Sequence, residues 1–146
     1  MWLPFQTDLP AEPRTPGRVR RLLSEWLNRG GCASETVDDL VLAVNEAVSN
    51  CVEHAYPPGH GGTVAVDAVA VCCDQGGSHA VVTVTDSGRW RAEPDDPGFR
   101  GRGLAMMEAT VHELRIGRTA EGGTQVRMTS YPCGRAPAST GSRSSM

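Results

Sequence analysis
Asn45-Glu46-Ala47-Val48-Ser49-Asn50-Cys51-Val52-Glu53-His54-Ala55-Tyr56 is the stretch on which the reading of this chain turns. Within it Glu46, Asn50 and His54 recur at every fourth residue, so on an α-helix they lie on one face. Beside that polar line, Val37, Leu40, Val41, Val44, Ala47, Val48 and Cys51 form an apolar stripe at helical spacing. A polar line next to a core-facing stripe is what a helix shows when it floors a binding cleft. The competing reading is a solvated helix face, which gives no reason for Asn50, a poor mid-helix residue. The Asn50 amide oxygen offers one neutral ligand to Mg²⁺, which takes an octahedron of oxygens and shares it with phosphates. Glu46, one turn earlier, is placed to accept a proton from an attacking hydroxyl or to orient a water. His54 is the least specific of the three, a phosphate contact or a cap for the helix end near Tyr56.

Two further patches follow in fixed order. Asp86-Ser87-Gly88 ends a run containing Val81, Val82 and Val84. A carboxylate there accepts hydrogen bonds and suits the exocyclic amine of adenine, which donates them; Gly88 lets a purine approach the backbone. An ordinary Asp-Gly turn explains this patch as well when it is taken alone. Arg100-Gly101-Arg102-Gly103 opens an apolar segment and reads as a helix N-terminus whose bare amides bind phosphate, with Arg100 and Arg102 adding positive charge. Gly122-Gly123-Thr124 enters the last strand, where Thr124 is placed to bond the adenine ring or a water near Asp86; a plain hairpin turn is the other reading.

Around these patches the periodicity predicts a first strand over 2–8, an extended entry through Pro10, Pro13 and Pro16, and a helix carrying Val19, Leu22, Leu23, Trp26 and Leu27 that Gly30-Gly31 stop. Ser34 is expected to cap the second helix and Pro57-Pro58-Gly59 to end it. Strands are expected from Thr63 to Val71 and His79 to Thr85, with a loop or lid from Arg89 to Arg100. A helix from Leu104 to His112 follows, then a hairpin of Leu114 to Arg118 and Thr124 to Ser130. The order β-α-α-β-β-α-β-β predicts an α+β fold, a two-layer sandwich with one mixed sheet of four or five strands and three helices on one face. Residues 1–131 are expected to form one domain and 132–146, rich in Pro, Ser, Gly and Arg, a disordered tail.

Composition narrows the function. The chain has 146 residues and a net charge of −3, which gives no electrostatic case for nucleic acid. All 14 of its Lys and Arg residues are Arg. A P-loop needs its Lys on the phosphates and a eukaryotic-type kinase needs its strand Lys, so neither machine operates here. No basic segment followed by an apolar core opens the chain, and no apolar run approaches membrane-spanning length. A signal peptide and a membrane partner are therefore not expected. The 5 cysteines show no metal spacing, and their odd number argues against a complete set of bridges; they are read as reduced thiols of a cytoplasmic protein.

The ordered set Glu46-x-x-x-Asn50-x-x-x-His54, Asp86-x-Gly88, Gly101-x-Gly103 and Gly123-Thr124 resembles the Bergerat-fold ATPases, whose members include gyrase, heat-shock chaperones and histidine kinases. The stretch from Asn45 to Tyr56 is similar to a narrower group, the anti-sigma factors that act as serine-protein kinases, and the resemblance covers roughly residues 3–130. It implies a histidine-kinase-like ATPase fold, ATP and Mg²⁺ as cofactors, and frequent homodimers. It implies two protein partners, a sequestered RNA polymerase sigma factor and an anti-anti-sigma protein of STAS type phosphorylated on Ser. By position, Glu46 is the general base and Asn50 the Mg²⁺ ligand. Asp86, Gly88, Gly101, Gly103 and Thr124 belong to the nucleotide pocket, and His54, Arg100, Arg102 and Leu104 count with them. The group carries a second Gly where this chain has Trp90, in the lid hinge. An alternative reading follows from Trp90 and the short lid: a non-catalytic nucleotide-binding module that switches partners and transfers nothing. Histidine-kinase activity is not expected, because no preceding dimerisation helix with a phospho-acceptor His is present.

Overall fold
The structure is a computed structural model. It describes residues 2–57, 61–72, 77–88 and 97–133, and of residues 97–102 only the backbone. The chain runs β1 (Phe5–Pro10), α1 (Thr15–Arg29), α2 (Ser34–Asn50), a single π-helical turn (Cys51–Ala55), β2 (Thr63–Cys72), β3 (Ser78–Asp86), α3 (Pro97–Thr110), β4 (Glu113–Arg118) and β5 (Thr124–Thr129).

The periodicities reach their expected ends. Val19, Leu23, Trp26 and Leu27 of α1 are buried, as are Val37, Leu40, Val44, Ala47 and Val48 of α2. The first set runs i, i+4, i+7, i+8 and the second i, i+3, i+7, i+10, i+11, both helical spacings that face one core. The strands alternate. Val64, Val66 and Ala68 of β2, Ala80, Val82 and Val84 of β3, and Val126 and Met128 of β5 are buried against the helices. The opposite parity carries Asp67, Thr83, Arg127 and Arg115, aligned across four strands on the helix-free face. The first strand begins later than the 2–8 expectation. Trp2 leaves the sheet to pack against Trp26, the rings tilted by 36° with centroids 4.7 Å apart. Its indole N–H donates to the Trp26 carbonyl at 3.1 Å, while the Trp26 indole donates to the Leu3 carbonyl at 2.6 Å.

The sheet has five strands in the order β1-β2-β3-β5-β4, and every neighbouring pair is antiparallel. The expectation of a mixed sheet is corrected on this point. β3 and β4 run in the same direction and are joined through α3, but β5 folds back between them, so no two parallel strands become neighbours. Three other local expectations shift. Ser34 is the first helical residue rather than the cap, a place taken by Ala33 with no side-chain cap bond. α3 begins at Pro97, where the ring's fixed φ suits a first turn, so the expected loop to Arg100 is shorter by four residues; α3 ends at Thr110, before His112. The cysteines are not all reduced: Cys32, between α1 and α2, is bonded to Cys133, which follows β5 and is itself buried. The two are 101 residues apart in sequence, a pairing that spacing alone does not announce. The tail expected from 132 is corrected at its start, since Cys133 is buried and forms a β-bridge to Ser78; residues 134–146 and the lid residues 89–96, Trp90 among them, lie outside the described residues. Among the described residues, no helix is long and apolar enough to cross a membrane.

Candidate functional site
Strand parity brings the site together. Even-numbered residues of β3 face the helices, so the last of them, Asp86, enters the covered side of the sheet. It is 2% exposed. An ionised carboxylate so placed is costly unless hydrogen bonds replace its water. One oxygen, Oδ1, accepts from the Gly88 amide at 3.0 Å and from the Thr124 amide at 3.3 Å. The other, Oδ2, accepts from the Cys51 thiol at 3.3 Å. Burial, the Asp86 charge and this hydrogen bond all push the Cys51 thiol far above its ordinary range, so the sulfur stays protonated as the donor.

Beyond Asp86 the core does not close. A cavity of about 260 Å³ opens there. Its sheet wall is the continuation of three strands: Asp86 of β3, Thr124 and Val126 of β5, and Ile116, Gly117 and Arg118 of β4. Its helix wall is Ala47 and Asn50 of α2, Cys51 of the π turn, and Gly103, Leu104 and Met107 of α3. The opening explains why Ile116, on the covered face, is half exposed.

The predicted residues distribute unevenly around this space. Asn50, Asp86, Gly103, Leu104 and Thr124 line it. Glu46 stands at its rim: a Cβ added at Gly103 would come within 2.5 Å of Glu46 Oε2, so α3 touches the carboxylate one turn from Asn50. Gly88 is buried next to the cavity, and its missing side chain makes room for the Ala55 carbonyl, which a Cβ there would strike. The close approach is thus to the π turn. Gly101 and Gly103 do not sit at a helix N-terminus, because α3 starts at Pro97. Only the first four amides of a helix lack an internal acceptor, so the reading of their amides as a bare helix N-terminus is corrected, while Gly103 still lines the cavity. The side chains of Arg100 and Arg102 lie outside the described residues. His54 is not a lining residue; its Nε2 lies 3.6 Å from Glu53 Oε1. The π turn, with i→i+5 bonds in place of i→i+4, rotates the side chains after Asn50 off the line that an α-helix would give.

Three features of the site escaped the sequence. Cys51 pairs with Asp86, although 35 residues separate them. Tyr56 braces the end of β3: its hydroxyl donates to the Thr63 carbonyl at 2.7 Å and accepts the Ser87 amide at 2.9 Å. Arg20 of α1 donates to Asn45 Oδ1 at 2.7 Å, fixing the helix face next to Glu46. Tyr56 was visible as the end of the quoted motif; the other two pairings carry no local mark.

The donor set also speaks to a metal. Among the described residues, no group of three His, Cys, Asp or Glu side chains is placed to hold an ion. Asn50 lines the cavity, and its neutral amide oxygen would offer a cation one ligand, the others coming from oxygens of a bound molecule. That is the usual situation of Mg²⁺ at a nucleotide, and the residues fit it.

The fold is thus a two-layer α+β sandwich with a cleft between strand ends and helices. The sequence matches the family described as histidine kinase-like ATPase domain over residues 9–130. A serine-protein kinase RsbW from Bacillus velezensis is 33% identical over 141 residues, covering 87% of this chain and 84% of that protein. The one from Bacillus subtilis is 31% identical over 141 residues, with the same coverage of 87% and 84%. In three dimensions, the RsbU and RsbW domains of Rv1364c from Mycobacterium tuberculosis match at TM-score 0.70 and 31% identity, over 94% of this chain and 35% of that longer one. The histidine kinase domain of a blue-light activated kinase from Erythrobacter litoralis matches at TM-score 0.51 and 24% identity, over 79% of this chain and 58% of that one, and shares the fold. The chain belongs to the histidine kinase-like ATPase domain family, among the RsbW serine-protein kinases.

Proposed function
We propose that this protein is an ATP-dependent serine-protein kinase and anti-sigma factor, which sequesters an RNA polymerase sigma factor and phosphorylates a STAS-type anti-anti-sigma protein on Ser. The observation that carries the site assignment is the pairing of Asn50 and Asp86 on opposite walls of one cavity. Asp86 accepts the exocyclic amine of adenine, and Thr124 sits beside it at the base end. Asn50 supplies one oxygen to a Mg²⁺ that neutralises charge on the phosphates. At the rim, Glu46 accepts the proton of the attacking Ser hydroxyl as its oxygen bonds to the γ-phosphorus and the bond to ADP breaks. Phosphoryl transfer asks little else of a protein than position and charge neutralisation. Homodimerisation, action in the cytoplasm and an ATP-binding unit over residues 1–131 complete the proposal.

The test is transfer of label from radiolabelled ATP·Mg²⁺ to a STAS-type protein. The proposal expects phosphoserine, lost in Glu46→Gln while ATP binding persists. Tight ATP binding with no transfer by the parent would select a non-catalytic partner switch instead.

A further inference from the structure
We propose that Cys51 is a positioning residue for nucleobase recognition, its thiol setting the plane of the Asp86 carboxylate so that one lone pair of Oδ2 faces the cavity. The inference rests on the reading that Asp86 accepts the adenine amine. The geometry is that of three fixed points. Two backbone amides, of Gly88 and Thr124, converge on Oδ1 at 3.0 and 3.3 Å. They anchor that oxygen and leave the carboxylate free to turn about it. The Cys51 thiol at 3.3 Å from Oδ2 supplies the third point. Both partners are buried, at 4% and 2% exposure, and both line the cavity.

A thiol suits this place. Each carboxylate oxygen has two acceptor directions, so the thiol occupies one on Oδ2 and leaves the other for a ligand N–H. As a weak donor, it orients the carboxylate without drawing off the negative charge that the ligand amine would meet. Burial beside Asp86 keeps the sulfur protonated, so the donor persists across the neutral range. Cys51 also opens the π turn, whose last residue, Ala55, packs its carbonyl against Gly88. Cys51, Asp86, Gly88 and Ala55 thus form a closed ring of contacts at one corner of the cavity. A shift at any member moves the carboxylate.

The experiment compares ATP with purine riboside triphosphate, which lacks the exocyclic amine, by calorimetric affinity in the presence of Mg²⁺. Four proteins are used: the parent, Cys51→Ser, Cys51→Ala and Cys51→Val. The parent is expected to prefer ATP by at least tenfold. Cys51→Ala and Cys51→Val are expected to lower that preference by about two- to tenfold, the range that loss of one hydrogen bond spans, with affinity for the amine-free analogue changing less than twofold. Cys51→Ser, which keeps a donor, is expected to retain the preference. A merely packing role would weaken both nucleotides together, so an unchanged preference in Cys51→Ala and Cys51→Val overturns the proposal. A parent with no preference for ATP overturns the assignment of Asp86 to the amine and the proposal with it. If Cys51→Val does not fold, the Ser and Ala pair still decides.

Discussion
The two walls of the cavity are built differently. On the sheet wall, Asp86 is 2% exposed and fixed by three donors, two of them backbone amides. Its position follows from strand parity and register. On the helix side, Asn50 in the wall and Glu46 at the rim are half-buried side chains one turn apart on α2, and the helix beyond them relaxes into a π turn. A rigid acceptor suits a base, whose donor pattern never varies. Longer, partly solvated side chains suit phosphates and a metal, which change charge and distance during transfer. In this account, the sheet wall decides which nucleotide binds and the helix wall decides what happens to it.

The comparison breaks most visibly at Glu46. Glu46→Gln removes the proton acceptor and is expected to lower phosphoryl transfer by about 10²–10⁴-fold, with ATP affinity within about twofold, as measured by single-turnover transfer and calorimetry. Asp86→Ala is expected to do the reverse. ATP affinity falls by about ten- to a hundredfold as the charge-assisted bond is lost, and the remaining binding no longer discriminates ATP from GTP. Asn50→Ala is expected to cost about tenfold in affinity for ATP·Mg²⁺ and much less for ATP without Mg²⁺, as titration with and without EDTA would show.

Two smaller effects sharpen the sheet wall. The Cys51 thiol is held protonated in the fold and ionises in the unfolded chain near pH 9. The folded protein therefore binds the proton more tightly, and the stability from Cys51 is full below that pH and falls above it, by up to about 1.4 kcal/mol per pH unit. Denaturant unfolding at pH 8 and pH 10 should show this slope, and Cys51→Ser should flatten it. Tyr56→Phe removes the hydroxyl that bridges Thr63 and Ser87. It is expected to cost about 1 kcal/mol, or a few degrees in melting temperature.

How far the sequence reached also differs between the walls. The helix wall was legible because its information is local: Glu46 and Asn50 declare themselves by a four-residue spacing, and the apolar stripe beside them orients the face. The Asp86 patch was legible as a strand end and Thr124 was placed near it, but the Cys51 thiol, 35 residues away, was not. The same holds for the sheet. Alternation in β2 and β3 marked the strands, but the insertion of β5 between β3 and β4 is a pairing choice that no single strand records. Glycines misled at one place. Gly98, Gly101 and Gly103 have low helix propensity, which hid the early start of α3 at Pro97. Local propensity likewise gave no warning of the π turn, where Gly88 packs on Ala55, or of the bond between Cys32 and Cys133.

The most direct test of a divided cavity is a crystal structure with a non-hydrolysable ATP analogue and Mg²⁺. This account predicts the adenine amine on Asp86 Oδ2, the Asn50 amide oxygen on the metal, and Glu46 facing the γ-phosphate. A base stacked away from Asp86, or a metal held without Asn50, would contradict it.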